Sequence, residues 1–211
     1  MGAPEEPVSA AEQLQAVKLM AALVRPLHLR VLVLGRVALL LRSGVGGATK
    51  DVDVHLFPAE RADQAELLDI LTATIEPGGG RARIEPDGRS ISVHLPVQDR
   101  LVLVEIVMGG EDWIQQDVLE DAVRTAEEID GVMVPSLEHL YVMKAEVFVD
   151  RRDAHSVNKA RQDMVRITTD LRDDGAMLDM REVRRLVLMR PKRKHDRMLD
   201  ICASVATATG D

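Results

Sequence analysis

Residues 31–57 read VLVLGRVALLLRSGVGGATKDVDVHLF, and this stretch decides the fold. An apolar strand ends at Gly35, a short apolar helix follows over residues 37–41, and Ser43-Gly44-Val45-Gly46-Gly47 forms a glycine-rich loop. Asp51 and Asp53 then stand inside an otherwise apolar run. Successive side chains of a strand point to opposite faces, so Asp51 and Asp53 share one face and Val52 and Val54 the other. With about 3.3 Å of rise per residue their Cα atoms lie roughly 6.6 Å apart, so their carboxylates can converge on one divalent cation or on a pair of them. Taken alone, Asp-x-Asp marks a solvated edge or a turn as readily as a metal site. Here, however, the two aspartates interrupt a hydrophobic strand, and a charge is rarely buried without a partner.

A third carboxylate stands in residues 101–108, LVLVEIVM, where Glu105 is the one polar residue. A run apolar on both faces predicts a central strand covered on both sides, in which a glutamate requires an arginine, a lysine or a metal.

Working outward, Ser9 and Glu12 form a capping box that opens a helix ending near Arg25-Pro26, and a strand follows over residues 30–34. Beyond the aspartates, residues 62–75 have helical period and stop at Pro77-Gly78-Gly79-Gly80. Strands are expected at residues 82–85, 90–95 and 101–108, with turns at Pro86-Asp87-Gly88 and Val97-Gln98-Asp99. A helix over residues 113–121 and a hairpin through Asp130-Gly131, pairing residues 125–129 with 132–134, complete this half. From Pro135 onward helical period dominates, with helices expected near 136–150, 154–171, 177–189 and 192–206. The fold class is therefore α/β (α+β): a mixed, mostly antiparallel sheet with flanking helices over residues 1–134, then a C-terminal helical bundle over 135–211.

Composition bounds the rest. The chain has 211 residues, 46% hydrophobic but only 2% aromatic, so Leu, Val, Ile, Met and Ala must build its core. A net charge of −8 argues against indiscriminate nucleic-acid binding. Against it stands a basic stretch: Arg181, Arg184, Arg185, Arg190, Lys192, Arg193, Lys194 and Arg197. That stretch is either a surface for a polyanionic acceptor or a solvated helix face that pairs with Asp170, Asp173, Asp174 and Asp179. The single cysteine, Cys202, excludes an internal disulfide and fits a reducing compartment. No secretory leader and no apolar run of membrane-spanning length is present, so a soluble cytoplasmic protein is expected, with residues 1–7 a disordered lead-in and 203–211 a frayed tail. The six histidines lack zinc-ligand spacing. His55 shares parity with Asp51 and Asp53 and either supports them or is an ordinary strand-end histidine. Lys159 and Asp163 are spaced for an intrahelical ion pair.

Strand-Gly35-x-helix, then Asp51-x-Asp53, then a distant Glu105 in an apolar strand, resembles the nucleotidyltransferase superfamily with its polymerase-beta-like fold. Val134-Pro135-Ser136-x-Glu138-x-Leu140, followed by Lys144, Arg151-Arg152, Lys159 and Asp163, resembles bacterial AbiEii-type and related toxin–antitoxin nucleotidyltransferases. Together the resemblance covers residues 28–172. It implies metal-dependent transfer of a nucleoside monophosphate from an NTP to a hydroxyl on tRNA or other RNA, on protein or on a small molecule, with release of pyrophosphate. It implies further that Asp51, Asp53 and Glu105 hold Mg²⁺ or Mn²⁺ and that Glu105 helps activate the acceptor. Gly35 would let backbone approach the triphosphate, and Arg36, Lys50 and Lys144 would bind nucleotide or phosphate. One residue departs from the pattern: Arg36 stands where the family's first motif has a second small residue, and sixteen positions separate Gly35 from Asp51. Arg36 either supplies its own bidentate phosphate contact or fills the pocket. The second case would make the chain a catalytically weak binding module or a partner protein in a toxin–antitoxin pair.

Overall fold

The computed structural model describes residues 8–44, 49–57, 64–86, 88–108, 116–151, 153–173, 175 and 177–208, with the side chains of Gln64, Gln116 and Arg172 excepted. The expected lead-in 1–7, the Val45-Gly46-Gly47 part of the loop, residues 62–63, Asp87, the helix start at Trp113, Arg152 and residues 209–211 lie outside the described residues. The chain divides into two compact units, Met1–Pro135 and Ser136–Asp211.

The first unit is built on a seven-stranded sheet in the order β3-β4-β5-β2-β1-β7-β6. Its strands are β1 (Arg30–Val33), β2 (Asp51–Phe57), β3 (Arg81–Ile84), β4 (Ser90–Val97), β5 (Arg100–Val107), β6 (Glu127–Ile129) and β7 (Val132–Val134). Four neighbouring pairs are antiparallel, while β2–β5 and β1–β7 run parallel, which is the mixed, mostly antiparallel sheet that the sequence pattern implies. Helix α1 (Ala10–Val24) opens with the Ser9–Glu12 capping box and packs on β1, β2, β4 and β5 through the buried Ala16, Val17, Met20 and Val24. Helix α2 (Gly35–Ser43) follows β1 directly, α3 (Gln64–Ile75) lies against β3 and β4, and α4 (Gln116–Thr125) precedes the β6–β7 hairpin. On β2 and β5 the residues Val52, Val54, Val102, Val104 and Ile106 are fully buried, as period-two patterning requires.

Two expectations for this unit need correction. Gly35 does not close a strand; it is the first residue of α2, two residues earlier than apolar periodicity indicated, because Leu34 remains extended and acts as the N-cap. Nor is β5 covered along its whole length on both sides, although Val107 is buried at the end of the second face. Its Val102, Val104 and Ile106 face is buried, whereas Leu101 is 41% exposed and Leu103 and Glu105 are half-buried. Leucines on the more open face imitate a doubly covered strand in sequence.

The second unit is helical: α5 (Leu137–Asp150), α6 (Ala154–Asp173), α7 (Met180–Leu188) and α8 (His195–Ala208), with α5 packed against the other three. Helix α8 continues through residues 203–208, which were expected to fray. Asp179 caps α7 through its carboxylate, accepting from the backbone N–H groups of Arg181 and Glu182. Tyr141 is fully buried and its hydroxyl donates to the Cys202 carbonyl at 2.8 Å. Asp163 does not pair with Lys159; it is buried and lies 2.8 Å from Lys144 Nζ on the neighbouring α5. Two cations of the basic stretch are likewise turned inward, since Arg190 Nε and Lys194 Nζ sit 2.9 and 2.8 Å from the two oxygens of buried Glu146. Lys194 also reaches Asp150 at 2.6 Å. These partners hold the Lys194 ammonium above its ordinary pKa even though burial alone would lower it.

Removing one member of a buried ion cluster leaves its partners charged and desolvated. Glu146→Ala should therefore cost about 3–5 kcal/mol in urea unfolding, while Lys192→Ala, at an exposed position, should change stability by less than about 0.5 kcal/mol. Burial also pushes the Cys202 thiol up to about 12. At pH 8 the native protein should resist a thiolate-selective reagent and should label stoichiometrically once unfolded in guanidinium.

Candidate carboxylate active site

Parallel pairing of β2 with β5 sets the site. The register places Asp51 opposite Leu103 and Asp53 opposite Glu105, so Asp53 and Glu105 stand side by side on one face, about 4.8 Å apart along the sheet. Asp51 shares that face two residues earlier on β2. One carboxylate oxygen from each of Asp51, Asp53 and Glu105 comes within 4.8 Å of the others, and all three residues are half-buried. The structure thus brings together the three carboxylates singled out in the sequence. Like charges this close repel on the order of a few kcal/mol per pair. A multivalent cation relieves that repulsion.

Gly35 is built into the same cluster. The Leu34 N–H donates to the Asp53 carbonyl at 2.8 Å, which carries the β1–β2 pairing one residue further and starts α2 beside Asp53. Gly35 has φ +61°, and a Cβ there would lie 2.3 Å from Asp53 Oδ2. Glycine is needed twice over, for the left-handed backbone and for the carboxylate seated where a side chain would go. The start of α2 also places the positive end of a helix dipole against Asp53.

Two neighbours complete the description. Thr49 is buried, and its Oγ1 donates to Asp51 Oδ1 at 2.8 Å. His55 is buried, and its Nδ1–H donates to the Val107 carbonyl at 2.9 Å. Burial lowers the His55 imidazole below its ordinary value, so it is neutral at pH 7. The Nδ1–H bond makes His55 a tie between β2 and β5, and the ligand atoms grouped within 4.8 Å are those of Asp51, Asp53 and Glu105, oxygens only. Three carboxylate oxygens with no thiolate or imidazole suit a hard cation such as Mg²⁺ or Mn²⁺, so the residues present fit the metal that the sequence resemblance implies.

Of the remaining residues singled out in the sequence, two belong to the first unit and one to the second. Arg36 is the second residue of α2 and half-buried, and Lys50 is exposed immediately before β2. Lys144 belongs to the helical unit and is held there by Asp163. Thr49 was missed, although a signal existed: Thr49, Asp51 and Asp53 have common parity, and a hydroxyl two residues before an acid can hydrogen-bond to it locally.

No protein-family model and no curated protein matches the chain. Among solved structures it is similar to an antigenic nucleotidyltransferase-like protein from Paracoccidioides brasiliensis, at 17% identity over 92% of this chain and 94% of that one, with a TM-score of 0.52. It is also similar to the antibiotic-resistance factor ANT(2'')-Ia, at 17% identity over 96% and 95% of the two chains, with a TM-score of 0.49. A third is JHP933 from Helicobacter pylori, at 15% identity over 94% of each chain, with a TM-score of 0.45. The first of these shows that the fold is nucleotidyltransferase-like.

Seating of Asp53 by Gly35 can be separated from backbone strain. Gly44 also has positive φ, +70°, but a Cβ there meets nothing within 4 Å. Gly44→Ala should cost about 1–2 kcal/mol, and Gly35→Ala clearly more in urea unfolding. In an Asp53→Ala background the excess should disappear, which a double-mutant cycle measures.

Proposed function

We propose that the protein is a metal-dependent nucleotidyltransferase, which moves a nucleoside monophosphate from an NTP to an acceptor hydroxyl and releases pyrophosphate. The observation that supports it most is the convergence of Asp51, Asp53 and Glu105 oxygens within 4.8 Å beside a glycine whose Cα leaves no room for a side chain. In the reaction the acceptor oxygen bonds to the α-phosphorus, the bond from that phosphorus to the pyrophosphate oxygen breaks, and the hydroxyl proton departs. Asp51, Asp53 and Glu105 would hold Mg²⁺ or Mn²⁺, which supplies neutralisation of the phosphate oxygens and acidification of the hydroxyl. Glu105 serves in addition as the proton acceptor. Gly35 and the first N–H groups of α2 face the phosphates, with Arg36 and Lys50 adding charge at the same end of β2. On this reading residues 1–134 form the catalytic domain and residues 135–211 a separate helical domain.

For the acceptor, the exposed cations Arg181, Arg184, Lys192, Arg193 and Arg197 favour a polyanion, tRNA or another RNA, over a neutral small molecule. Arg181 and Arg184 lie one turn apart on α7 and so share its outer face. Kinship to the AbiEii-type toxin–antitoxin enzymes, and with it a bacterial, cytoplasmic setting and a partner protein, rests on the sequence pattern between Val134 and Asp163. Among the described residues no helix is long and apolar enough to cross a membrane.

A second reading is favoured by Arg36. As the second residue of α2, it stands where bulk would fill a phosphate pocket, which would leave a catalytically weak binding module. Thermal unfolding with each NTP, with and without Mg²⁺ or Mn²⁺, distinguishes the two. Saturation at about 100 times Kd should add roughly 2.7 kcal/mol and raise Tm for the preferred nucleotide, only with metal, and not in Asp51→Ala/Asp53→Ala. No shift with any nucleotide, together with a shift restored by Arg36→Ser, would establish Arg36 as a block.

A further inference from the structure

We infer that Thr49 is a positioning residue for the metal-binding carboxylates, held in place by the segment that precedes α1. The inference rests on the proposed metal site and adds to it a residue that touches no substrate. Thr49 is 6% exposed and its Oγ1 donates to Asp51 Oδ1 at 2.8 Å. A hydroxyl has one proton to give. Giving it to Oδ1 fixes the carboxylate's rotation and leaves Oδ2 and a lone pair of Oδ1 for a cation. The bond also satisfies part of the charge of an aspartate that shares a small volume with two other acids.

Local bonds from threonine to an acid two residues on are common at turns and often structural only. What sets this one apart is how Thr49 itself is held. Its carbonyl accepts from the Val8 N–H at 2.9 Å, forming an isolated antiparallel bridge between the start of the described chain and the approach to β2. The Val8 carbonyl in turn accepts from Gln13 Nε2 at 2.7 Å, and Gln13 is 1% exposed. Val8 is buried as well. A buried glutamine on α1, a backbone bridge and a buried hydroxyl therefore form one continuous chain of hydrogen bonds that ends on Asp51. Partners of this kind, one bond removed from a metal, characteristically set affinity, and losing one weakens metal binding about 10–100-fold.

Mn²⁺ binding to the full chain, followed by electron paramagnetic resonance of the free ion, tests this without reference to turnover. Thr49→Val keeps the shape and the backbone bridge but has no hydroxyl; Thr49→Ser restores the donor. The expected result is about 10–100-fold weaker Mn²⁺ binding in Thr49→Val, recovery in Thr49→Ser, and a metal-free Tm that does not track the loss of affinity. Equal Mn²⁺ affinity in wild type and Thr49→Val would overturn the inference while leaving the carboxylate site standing. Weak binding that Thr49→Ser fails to recover would overturn it too, since the hydroxyl would then not be the cause. If the wild type binds no more Mn²⁺ than Asp51→Ala/Asp53→Ala, the metal site itself fails and the inference falls with it.

Discussion

Asp53 and Glu105 stand directly across a parallel strand pair on the same face, and Asp51 lies on that face two residues away. Like charges placed opposite one another destabilise a sheet. A fold tolerates such a register only when other interactions fix it, and here the opposite face does so: Val52 pairs with Val104 and Val54 with Ile106, all fully buried. Slipping β2 by one residue to separate the acids would turn those valines outward and drive carboxylates into the core. The apolar face thus imposes the juxtaposition on the polar one. Local devices then accommodate it, namely the N-terminus of α2, the missing side chain at Gly35 and the Thr49 hydroxyl.

Much of this was legible in the sequence because it depends on parity and periodicity. Asp51 and Asp53 share a face in any strand, Glu105 is conspicuous in an apolar run, and the change to helical period after Pro135 needs no tertiary information. The match of Asp53 to Glu105 depends on the pairing of β2 with β5 and on its register across roughly fifty residues of chain, which composition does not encode. The position of Gly35 was misread for a related reason. Its place as the first residue of α2 follows from the Leu34 N–H reaching the Asp53 carbonyl, a contact between strands that local periodicity cannot register.

Charge was the least legible property. Arg190 and Lys194 look like their exposed neighbours in sequence, yet both are buried against Glu146, and Asp163 turns to Lys144 on another helix instead of Lys159 on its own. Long cationic side chains can point to either side of a helix surface, and their direction is set by the acid that packing offers. In a unit with so few aromatic rings, a cluster joining Glu146, Asp150, Arg190 and Lys194 adds directional contacts where shape-filling by large side chains is scarce. Such clusters contribute little net stability over an apolar alternative, because desolvation offsets attraction.

Both units gather carboxylates and hold them by contacts within the chain. Around Glu146 the cations are supplied by the chain, at 2.6–2.9 Å, and the ionic partners are already in contact. Around Asp51, Asp53 and Glu105 the supports include the N-terminus of α2 and the Thr49 hydroxyl, both of which lessen repulsion among like charges. At the proposed metal site, any repulsion that remains would be relieved when a divalent cation binds, and would then add to its affinity. Acids brought together by the register of a buried apolar face, and not by the choice of a partner, are what the metal site proposed for the first unit requires.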